Sequence, residues 1–359
     1  MWVLIWAHLK EWKKRKKIKY FLLTLYCYFI FSGAYPQDHP ESYDIIFYNV
    51  ENLFDVHDDP ETSDDEFTPE GSRRWTAGRF NRKLINISKA VLNSSGWNPP
   101  QIIALCETEN RYVLERLLSF SPLGNFNYNI IHKDSPDNRG IDVVFLYDPG
   151  IFDPLEFSYI PLVDKEGEII HTREIMYVSG VFDRTDTVHF FINHWPSRYS
   201  GLLKSRGLRI LAAETLREKL ERLWSEYTDP QIIIMGDFND QPGDISITGH
   251  LKALPDLEYY SAGNIYNLSA DWTDGDIGTT KYRSQWYVFD QIMVSGNLLD
   301  KQSGLYTERE SARIVDLPFL LEPDERYGGV KPLRTYYGYT YTGGFSDHLP
   351  VIIQLRSVP

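Results

Sequence analysis

Residues 231–240 read Gln-Ile-Ile-Ile-Met-Gly-Asp-Phe-Asn-Asp. The stretch 231–235 is short, apolar and β-branched, which is typical of a buried strand. It ends in Asp237 and Asn239, so the predicted strand delivers a carboxylate and an amide to one edge of a sheet, where ligand sites of α/β proteins form. Similar apolar runs predict strands at 45–50, 101–106, 143–147, 189–193, 288–294 and 349–355.

Two other segments have the spacing of amphipathic helices. Leu84, Ile87, Val91 and Leu92 would line one helix face, and residues 208–223 repeat the pattern. Strands that alternate with helices predict an α/β (α+β) protein with mixed sheets. We find no linker or change of composition between residues 43 and 358, which predicts a single domain, with long irregular surface segments at 56–75 and 322–345.

The N-terminal segment has the composition of a secretory signal. A cationic run from Lys13 to Lys19 precedes the apolar stretch Tyr20–Phe31 and the small residues Ser32-Gly33-Ala34. This order predicts export to the periplasm or the medium, with cleavage after Ala34, so that residues 1–34 are a signal peptide. The alternative is an uncleaved segment that anchors the chain, although the apolar run is shorter than the roughly 20 residues that span a bilayer.

Removal of residues 1–34 would change the charge and the cysteine content of the protein. The whole chain has a formal net charge of −13. The segment 1–34 holds seven Lys or Arg and one acid, so 30 basic and 49 acidic residues would remain, a net charge of −19. Such a surface disfavours tight non-specific binding of nucleic acid. Only Cys106 would remain, which excludes an intrachain disulfide.

Polar residues at the ends of the predicted strands form an ordered set. Singly, each has a structural explanation, because an Asp or Asn after a strand is usually a turn or cap residue and a His is usually a packed one. The prediction therefore depends on the whole set. Its members are Asn49, Glu51, Glu107, His194, Asp237, Asn239, Asp290, Asp347 and His348.

The motifs around these residues resemble the endonuclease/exonuclease/phosphatase superfamily. The order and spacing of the motifs agree over nearly the whole chain after residue 34. The resemblance implies a four-layer α/β/β/α sandwich with two facing mixed sheets and an active site at one sheet edge. The matching pieces are Tyr48-Asn49-Val50-Glu51, Leu105-Cys106-Glu107-Thr108, Asn193-His194-Trp195-Pro196, Gly236-Asp237-Phe238-Asn239, Phe289-Asp290-Gln291-Ile292 and Ser346-Asp347-His348-Leu349-Pro350.

The resemblance also implies roles for the set in metal-dependent phosphodiester hydrolysis. The expected metal ligands are Asn49, Glu51, Glu107 and Asp347, whose hard oxygen atoms suit Mg²⁺ or Mn²⁺. The absence of a cysteine or multi-histidine cluster argues against zinc. The expected catalytic residues are Asp237 to activate water, Asn239 to orient it, His348 held by Asp290 to bind the phosphate, and His194 beside the phosphate or the leaving group.

Glu51 departs from the pattern of the superfamily, because many of its nucleases carry Asp at this position. The longer side chain leaves two roles open, a ligand of a shifted second metal site or a group that only contacts the ligands. Glu107 is the stronger metal ligand. Arg139, Arg198 and Lys281 are expected to contact substrate phosphates; Arg206 and Arg334 are further candidates, with an exposed surface position as the alternative.

These features predict an exported, endonuclease-like phosphodiesterase that needs a divalent metal. The substrate would be nucleic acid or, alternatively, a phospholipid or inositol phosphate, as in sphingomyelinases and inositol phosphatases. A lipid enzyme needs an apolar loop for membrane docking, and Leu317–Leu321 is the candidate run. A binding module without activity is the third reading, and it would be expected to have lost acids or histidines of the set. No stable protein partner is indicated, and we expect a monomer.

Overall fold

Strands and helices alternate along the chain, as the apolar runs predict. The computed structural model describes residues 42–96, 98–184, 186–198, 201–302 and 304–357, so the predicted signal peptide 1–34 lies outside the described residues. Within these ranges there are three α-helices, α1 (Ala77–Ser94), α2 (Arg111–Phe120) and α3 (Leu202–Glu226). No helix of the described ranges has both the length and the apolar character needed to cross a membrane.

Most of the remaining regular structure is β-strand. Short 3₁₀ segments occur at Asp65–Phe67, Pro122–Asn125, Ala270–Asp274, Gly296–Leu299, Arg309–Ser311 and Pro318–Leu320, and a π-helical turn at Ser246–Leu251. The strands are β1 (Ser42–Leu53), β2 (Ile102–Thr108), β3 (Asn129–Ile131), β4 (Asp142–Tyr147), β5 (Phe152–Ile160), β6 (Ile175–Phe182), β7 (Asp186–His194), β8 (Gln231–Asp237), β9 (Ala253–Leu254), β10 (Ile265–Asn267), β11 (Thr280–Tyr282), β12 (Gln285–Tyr287), β13 (Asp290–Ser295), β14 (Leu305–Tyr306), β15 (Ala312–Ile314), β16 (Leu321–Pro323), β17 (Val330–Pro332), β18 (Tyr336–Tyr337), β19 (Thr340–Tyr341) and β20 (Val351–Ser357).

Two large sheets account for fourteen of these strands. The first has the order β14-β20-β1-β2-β4-β3, with β15 also paired to β20, and the second has the order β5-β6-β7-β8-β13-β10-β9. In the first sheet β1 runs parallel to β2 and antiparallel to β20. In the second sheet β7 runs parallel to β8, whereas β13 runs antiparallel to β8. Both sheets are therefore mixed, as predicted.

Alternation along β1 shows how the layers form. Tyr43, Ile45 and Phe47 point into a core that also contains Phe190 and Ile233 of the second sheet. The intervening residues of β1 point the other way and pack with the buried faces of α1 and α2. Because successive side chains of a strand point to opposite faces, one strand contributes to two cores. On the far side of the second sheet, α3 packs against the outer face of β8. The predicted four-layer sandwich is confirmed.

Some elements were not predicted from the sequence. Helix α2 has only ten residues, and its buried side chains are Val113, Leu114 and Leu117, which is too short a pattern to recognise. It starts where the Asn110 side chain accepts a hydrogen bond from the Val113 amide, a typical N-cap. The segment 322–345, expected to be irregular, contains the hairpins β16–β17 and β18–β19.

Candidate active site

The strand ends that carry the predicted residues lie side by side. In the register of the first sheet, Asn49 of β1 is opposite Cys106 of β2, next to Glu107. In the second sheet, Asp237 of β8 is opposite His194 of β7 on one side and Asp290 of β13 on the other. Each sheet thus gathers its own group of polar side chains at one edge.

Asp237 joins the two groups. Its Oδ2 atom accepts a hydrogen bond of 3.1 Å from Nδ2 of Asn49, which belongs to the other sheet. The Nε2 atoms of His194 and His348 lie 3.8 and 3.9 Å from the same oxygen. His194 Nε2 is also 3.8 Å from Oε1 of Glu107. The structure therefore brings the two sheet edges together around one carboxylate oxygen.

The strands bend where they enter the site. Four residues here have φ angles in the left-handed region, which residues with a side chain rarely adopt. They are Glu51 (52°), Asn52 (56°), Glu107 (62°) and Asn239 (50°). The pairing of β1 with β2 shifts between Asn49 and Leu53. Irregular strand ends of this kind redirect side chains, and here Glu107 is turned towards the shared edge, where its Oε1 lies near His194.

His348 is held by a buried carboxylate. Its Nδ1 donates a hydrogen bond of 2.7 Å to Oδ2 of Asp290, which is fully buried. Burial opposes the charge of the imidazole, but the Asp290 and Asp237 carboxylates outweigh it and raise the pKa of His348 well above its usual value. The ring is therefore positively charged at neutral pH.

His194, in contrast, is uncharged. Burial, together with the positive charges of Arg173, Arg139 and His348, lowers the pKa of His194 well below its usual value. Its Nδ1 is buried and has no hydrogen-bond partner among the described groups. Burial also raises the pKa of Asp237 to about 7, with Asp290 adding to the rise and His348 opposing it. The site thus contains one charged imidazole, one neutral imidazole and a carboxyl group that can gain or lose a proton near neutral pH.

The loop after β8 is fixed by hydrogen bonds within the chain. Asn239 donates from its backbone to Asp237 Oδ1 (2.9 Å) and from its side chain to the Trp195 carbonyl (3.0 Å). Arg198 donates to the Asn239 carbonyl at 2.6 Å and to the carboxylates of Asp240 and Asp244. The positive charge of Arg198 is therefore already paired with carboxylates of this loop.

The other two predicted phosphate contacts differ in exposure. The side chain of Lys281 is only 4% exposed, and its Nζ lies 3.0 Å from an Asp324 oxygen. It also donates to the Gly328 carbonyl. Arg139 keeps 44% of its side chain exposed, and its Nε lies 3.4 Å from Asp137. Substrate contact by Arg139, Arg198 and Lys281 stays a prediction, and Arg139 has the most freedom to make it.

Glu51 has partners that the sequence did not reveal. Its Oε1 accepts from Arg334 Nε (3.1 Å), and its Oε2 accepts from the Thr335 amide (2.6 Å). Arg334 also donates from Nη2 to Asp347 Oδ2 at 2.8 Å. Behind them Lys83 is buried and donates to the Thr335 hydroxyl and the Phe345 carbonyl. The one feature of the sequence that could have indicated these contacts is Lys83, a lysine beside the apolar face of the predicted helix.

A cleft of about 350 Å³ opens beside Asp347 and Arg334. Three cation–tyrosine pairs line it: Arg283 over Tyr282 (5.2 Å), Arg326 over Tyr327 (5.2 Å) and Lys331 over Tyr337 (4.3 Å). We call these residues the cation–tyrosine cleft. Arg283 and Arg326 are exposed and form no ion pair with any described carboxylate. Of the residues that line this cleft, Lys281, Arg334 and Asp347 were already candidates from the sequence.

The donor set fits a divalent metal ion at Glu107. The Oε2 atom of Glu107 accepts from the Asn52 amide at 3.0 Å, whereas Oε1 receives no hydrogen bond from the described chain. Asp347 offers a further carboxylate on the same edge, and such hard donors suit Mg²⁺ or Mn²⁺. The one side-chain oxygen of Asn49 already accepts from the Glu51 amide at 3.0 Å. Both carboxylate oxygens of Glu51 are likewise already hydrogen-bonded.

Comparison with known proteins agrees with this architecture. The family model described as Endonuclease/Exonuclease/phosphatase family matches residues 44–357. No curated protein matches the sequence. Similar solved structures include truncated Caenorhabditis elegans TDP2 (14% identity, TM-score 0.52, 88% of this chain and 98% of that chain) and the human Nocturnin catalytic domain (13%, 0.54, 89% and 96%).

A third similar structure is a protein of this family from Bacteroides thetaiotaomicron, with 14% identity and a TM-score of 0.52 over 88% of this chain and 98% of that chain. At these identities the structures show the fold alone. The family is shown by the sequence model, which spans nearly all of the described residues. The chain therefore belongs to the endonuclease/exonuclease/phosphatase family and is a metal-dependent hydrolase with the DNase I-like fold.

Proposed function

We propose that the protein is a divalent-metal-dependent phosphodiesterase that cleaves single-stranded nucleic acid outside the cytoplasm and acts as a monomer. The observation that carries the proposal is the convergence of Asn49, His194 and His348 on one oxygen of Asp237. Phosphodiester cleavage needs a group that activates water and positive charge on the phosphoryl oxygens, and both are present at this edge.

The side chains divide the chemistry between them. Asp237 accepts a proton from the attacking water, whose oxygen bonds to phosphorus as the bond to the leaving oxygen breaks. Charged His348, fixed by Asp290, stabilises the negative charge that builds up on the phosphoryl oxygens. His194 is neutral, so we assign it to a hydrogen bond with the phosphate. A divalent ion bound at Glu107 would supply further charge neutralisation.

The cation–tyrosine cleft supports single-stranded nucleic acid as the substrate. Exposed guanidinium groups pair with phosphates, and tyrosine rings stack on unpaired bases, each stack contributing about 1–3 kcal/mol. Duplex DNA keeps its bases stacked on one another, so the rings would have no partner. The cleft also gives an acidic protein a local positive surface. A structure of D. rerio TDP2, which shares this fold, was determined with a single-strand DNA product.

The lipid alternative has less support. Leu320 is buried, and Leu317, Phe319 and Leu321 are partly buried in the core beside α1. The ring of Phe319 packs against Phe345 with centroids 5.3 Å apart. The run that could have docked on a membrane therefore has little free apolar surface. An inactive binding module is disfavoured because each position of the predicted set holds a chemically competent residue.

A substrate panel tests the proposal. The purified protein would be assayed on single-stranded DNA, RNA, duplex DNA, sphingomyelin and inositol phosphates, with Mg²⁺, Mn²⁺ or a chelator. We expect metal-dependent cleavage of single strands, slower cleavage of duplex, and loss of activity in Asp237→Asn. Preferential hydrolysis of sphingomyelin or inositol phosphates would refute the substrate assignment, and no hydrolysis under any condition would favour the binding module.

A further inference from the structure

Arg334 lies between two carboxylates that the sequence predicted to be metal ligands. Its Nε donates to Glu51 at 3.1 Å and its Nη2 donates to Asp347 at 2.8 Å. The planar guanidinium thus bridges the two carboxylates through separate N–H groups. The second oxygen of Glu51 is bound by the Thr335 amide at 2.6 Å, so this carboxylate has a chain donor on each oxygen.

The charges around Arg334 are already balanced within the chain. Glu51 and Asp347 contribute two negative charges, and Arg334 and buried Lys83 contribute two positive ones. A divalent ion added here would have to displace the guanidinium or leave excess positive charge beside the buried Glu51 and Lys83, which is strongly unfavourable. Glu107 differs, because its Oε1 receives no hydrogen bond from the described chain and has only Nε2 of His194 beside it, at 3.8 Å.

We propose that Arg334 takes the place of a second divalent ion, so that the chain binds one metal ion at Glu107 and none at Glu51. This inference rests on the proposed function only for the use of that metal in hydrolysis. The guanidinium side chain is 37% exposed and lines the cation–tyrosine cleft. Its free face can therefore bind a phosphate of the substrate, which gives the site a permanent positive charge where a second ion would otherwise stand.

Counting bound ions tests the inference without any substrate. Mn²⁺ binding to the full chain would be measured by equilibrium dialysis, with free Mn²⁺ read by paramagnetic resonance. We expect one tightly bound ion in the wild type, a second ion in Arg334→Met, and one ion in Arg334→Lys, which keeps the charge. Arg356→Met is the matched control: it pairs with a glutamate too, but at the opposite end of β1 from Asn49.

Two further variants keep the test decisive if Arg334→Met does not fold by circular dichroism. Glu51→Gln should still bind one ion, whereas Glu107→Gln should bind at least tenfold more weakly. Two ions or none in the wild type, one ion in folded Arg334→Met, or loss of the ion in Glu51→Gln would overturn the inference. The ion count and the substrate panel are independent, so a protein that hydrolyses nothing could still show the expected counts, and then only the proposed function fails.

Discussion

Two histidines of the same site show how neighbours decide the state of a side chain. His348 is bonded to Asp290 and lies 3.9 Å from Asp237, and these carboxylates keep it charged. His194 lies no farther from Asp237, but burial, together with the positive charges of Arg173, Arg139 and His348, keeps it neutral. The residue type alone would not distinguish a cation from a neutral hydrogen-bond donor.

Replacement of Asp290 should therefore affect catalysis through His348. In Asp290→Asn the ring loses the carboxylate that fixes its orientation and favours its charge, so we expect kcat/KM to fall about 10²- to 10⁴-fold. Mn²⁺ binding should not change, and neither should the ellipticity of the folded protein. Asp153→Asn, at an exposed position of β5, is the control. Near wild-type kcat/KM in Asp290→Asn would show that His348 needs no such support.

A histidine remote from the site should make stability depend on pH. His189 is 2% exposed, and burial lowers its pKa from 6.5 to about 4. Because the unfolded chain binds the proton more tightly, this stability is present above about pH 6.5 and is lost as pH falls towards 4. The loss between pH 7 and pH 5 should be about 2 kcal/mol.

The variant His189→Gln isolates this effect. Glutamine can still accept the hydrogen bond of the Tyr177 hydroxyl, which lies 2.9 Å from His189 Nδ1. Urea denaturation at several pH values should show that the variant loses less stability on acidification than the wild type. Equal losses in the two proteins would mean that His189 is protonated as easily in the folded as in the unfolded state.

At the level of elements, the sheets and the short hairpins have different tasks. The large sheets carry the reacting groups, whereas β11–β12, β16–β17 and β18–β19 are two-stranded sheets whose residues line the cation–tyrosine cleft. Isolated two-stranded hairpins are marginally stable, so they depend on contacts with the rest of the molecule. Lys281 supplies one such contact, since it joins β11 to Asp324 and to the Val330 carbonyl of β17.

Substitutions in the hairpins should weaken substrate binding without slowing the chemical step. In Tyr337→Ala or Arg326→Ala we expect KM for a single-stranded oligonucleotide to rise about tenfold, with kcat nearly unchanged, because stacking and phosphate pairing are lost. Steady-state kinetics at two salt concentrations would measure both. Arg116→Ala is the control, because Arg116 also stacks on an aromatic ring, Phe120, but in α2. An unchanged KM in both cleft variants would exclude the cleft from substrate binding.

More of the fold than of the site could be predicted from the sequence. Apolar runs and helical spacing reflect which faces of an element are buried, and a short stretch of sequence is enough to show this. The elements β1, β8 and α3 were therefore predicted. Helix α2 was too short for its pattern to be recognised. The bridge from Arg334 to Glu51 joins residues 283 positions apart, and the Arg198 loop contacts join residues more than 40 apart. Such pairs depend on how loops cross the sheet edge, which no local pattern records.

At the scale of the whole molecule, the site belongs to neither sheet alone. Asn49 and Glu107 come from the first sheet, whereas His194, Asp237 and Asp290 come from the second. The core between the sheets, which includes Phe47, Phe190 and Ile233, sets the distance between these groups. Large-to-small changes in this core typically destabilise a protein by about 2–5 kcal/mol, and here they would also disturb the alignment of the two edges.

The position of the N-terminus offers a test of the proposed export. If residues 1–34 are a signal peptide, then protein recovered outside the cytoplasm should begin at Tyr35, because the small residues Ser32-Gly33-Ala34 precede that bond. Mass spectrometry of the intact protein would measure this. Ala34→Lys should leave a longer chain that stays with the membrane fraction. Recovery of the full-length wild type from the cytoplasm would contradict export.

The left-handed backbone at Glu51, Asn52, Glu107 and Asn239 has a consequence for evolution and protein engineering. A residue with a side chain is destabilised by about 1–2 kcal/mol in this conformation, and glycine is not. Selection for heat resistance alone would therefore favour glycine at these four positions, but glycine would also remove the Glu107 carboxylate from the candidate metal site. A stabilised variant that keeps the candidate site should therefore be sought at other positions.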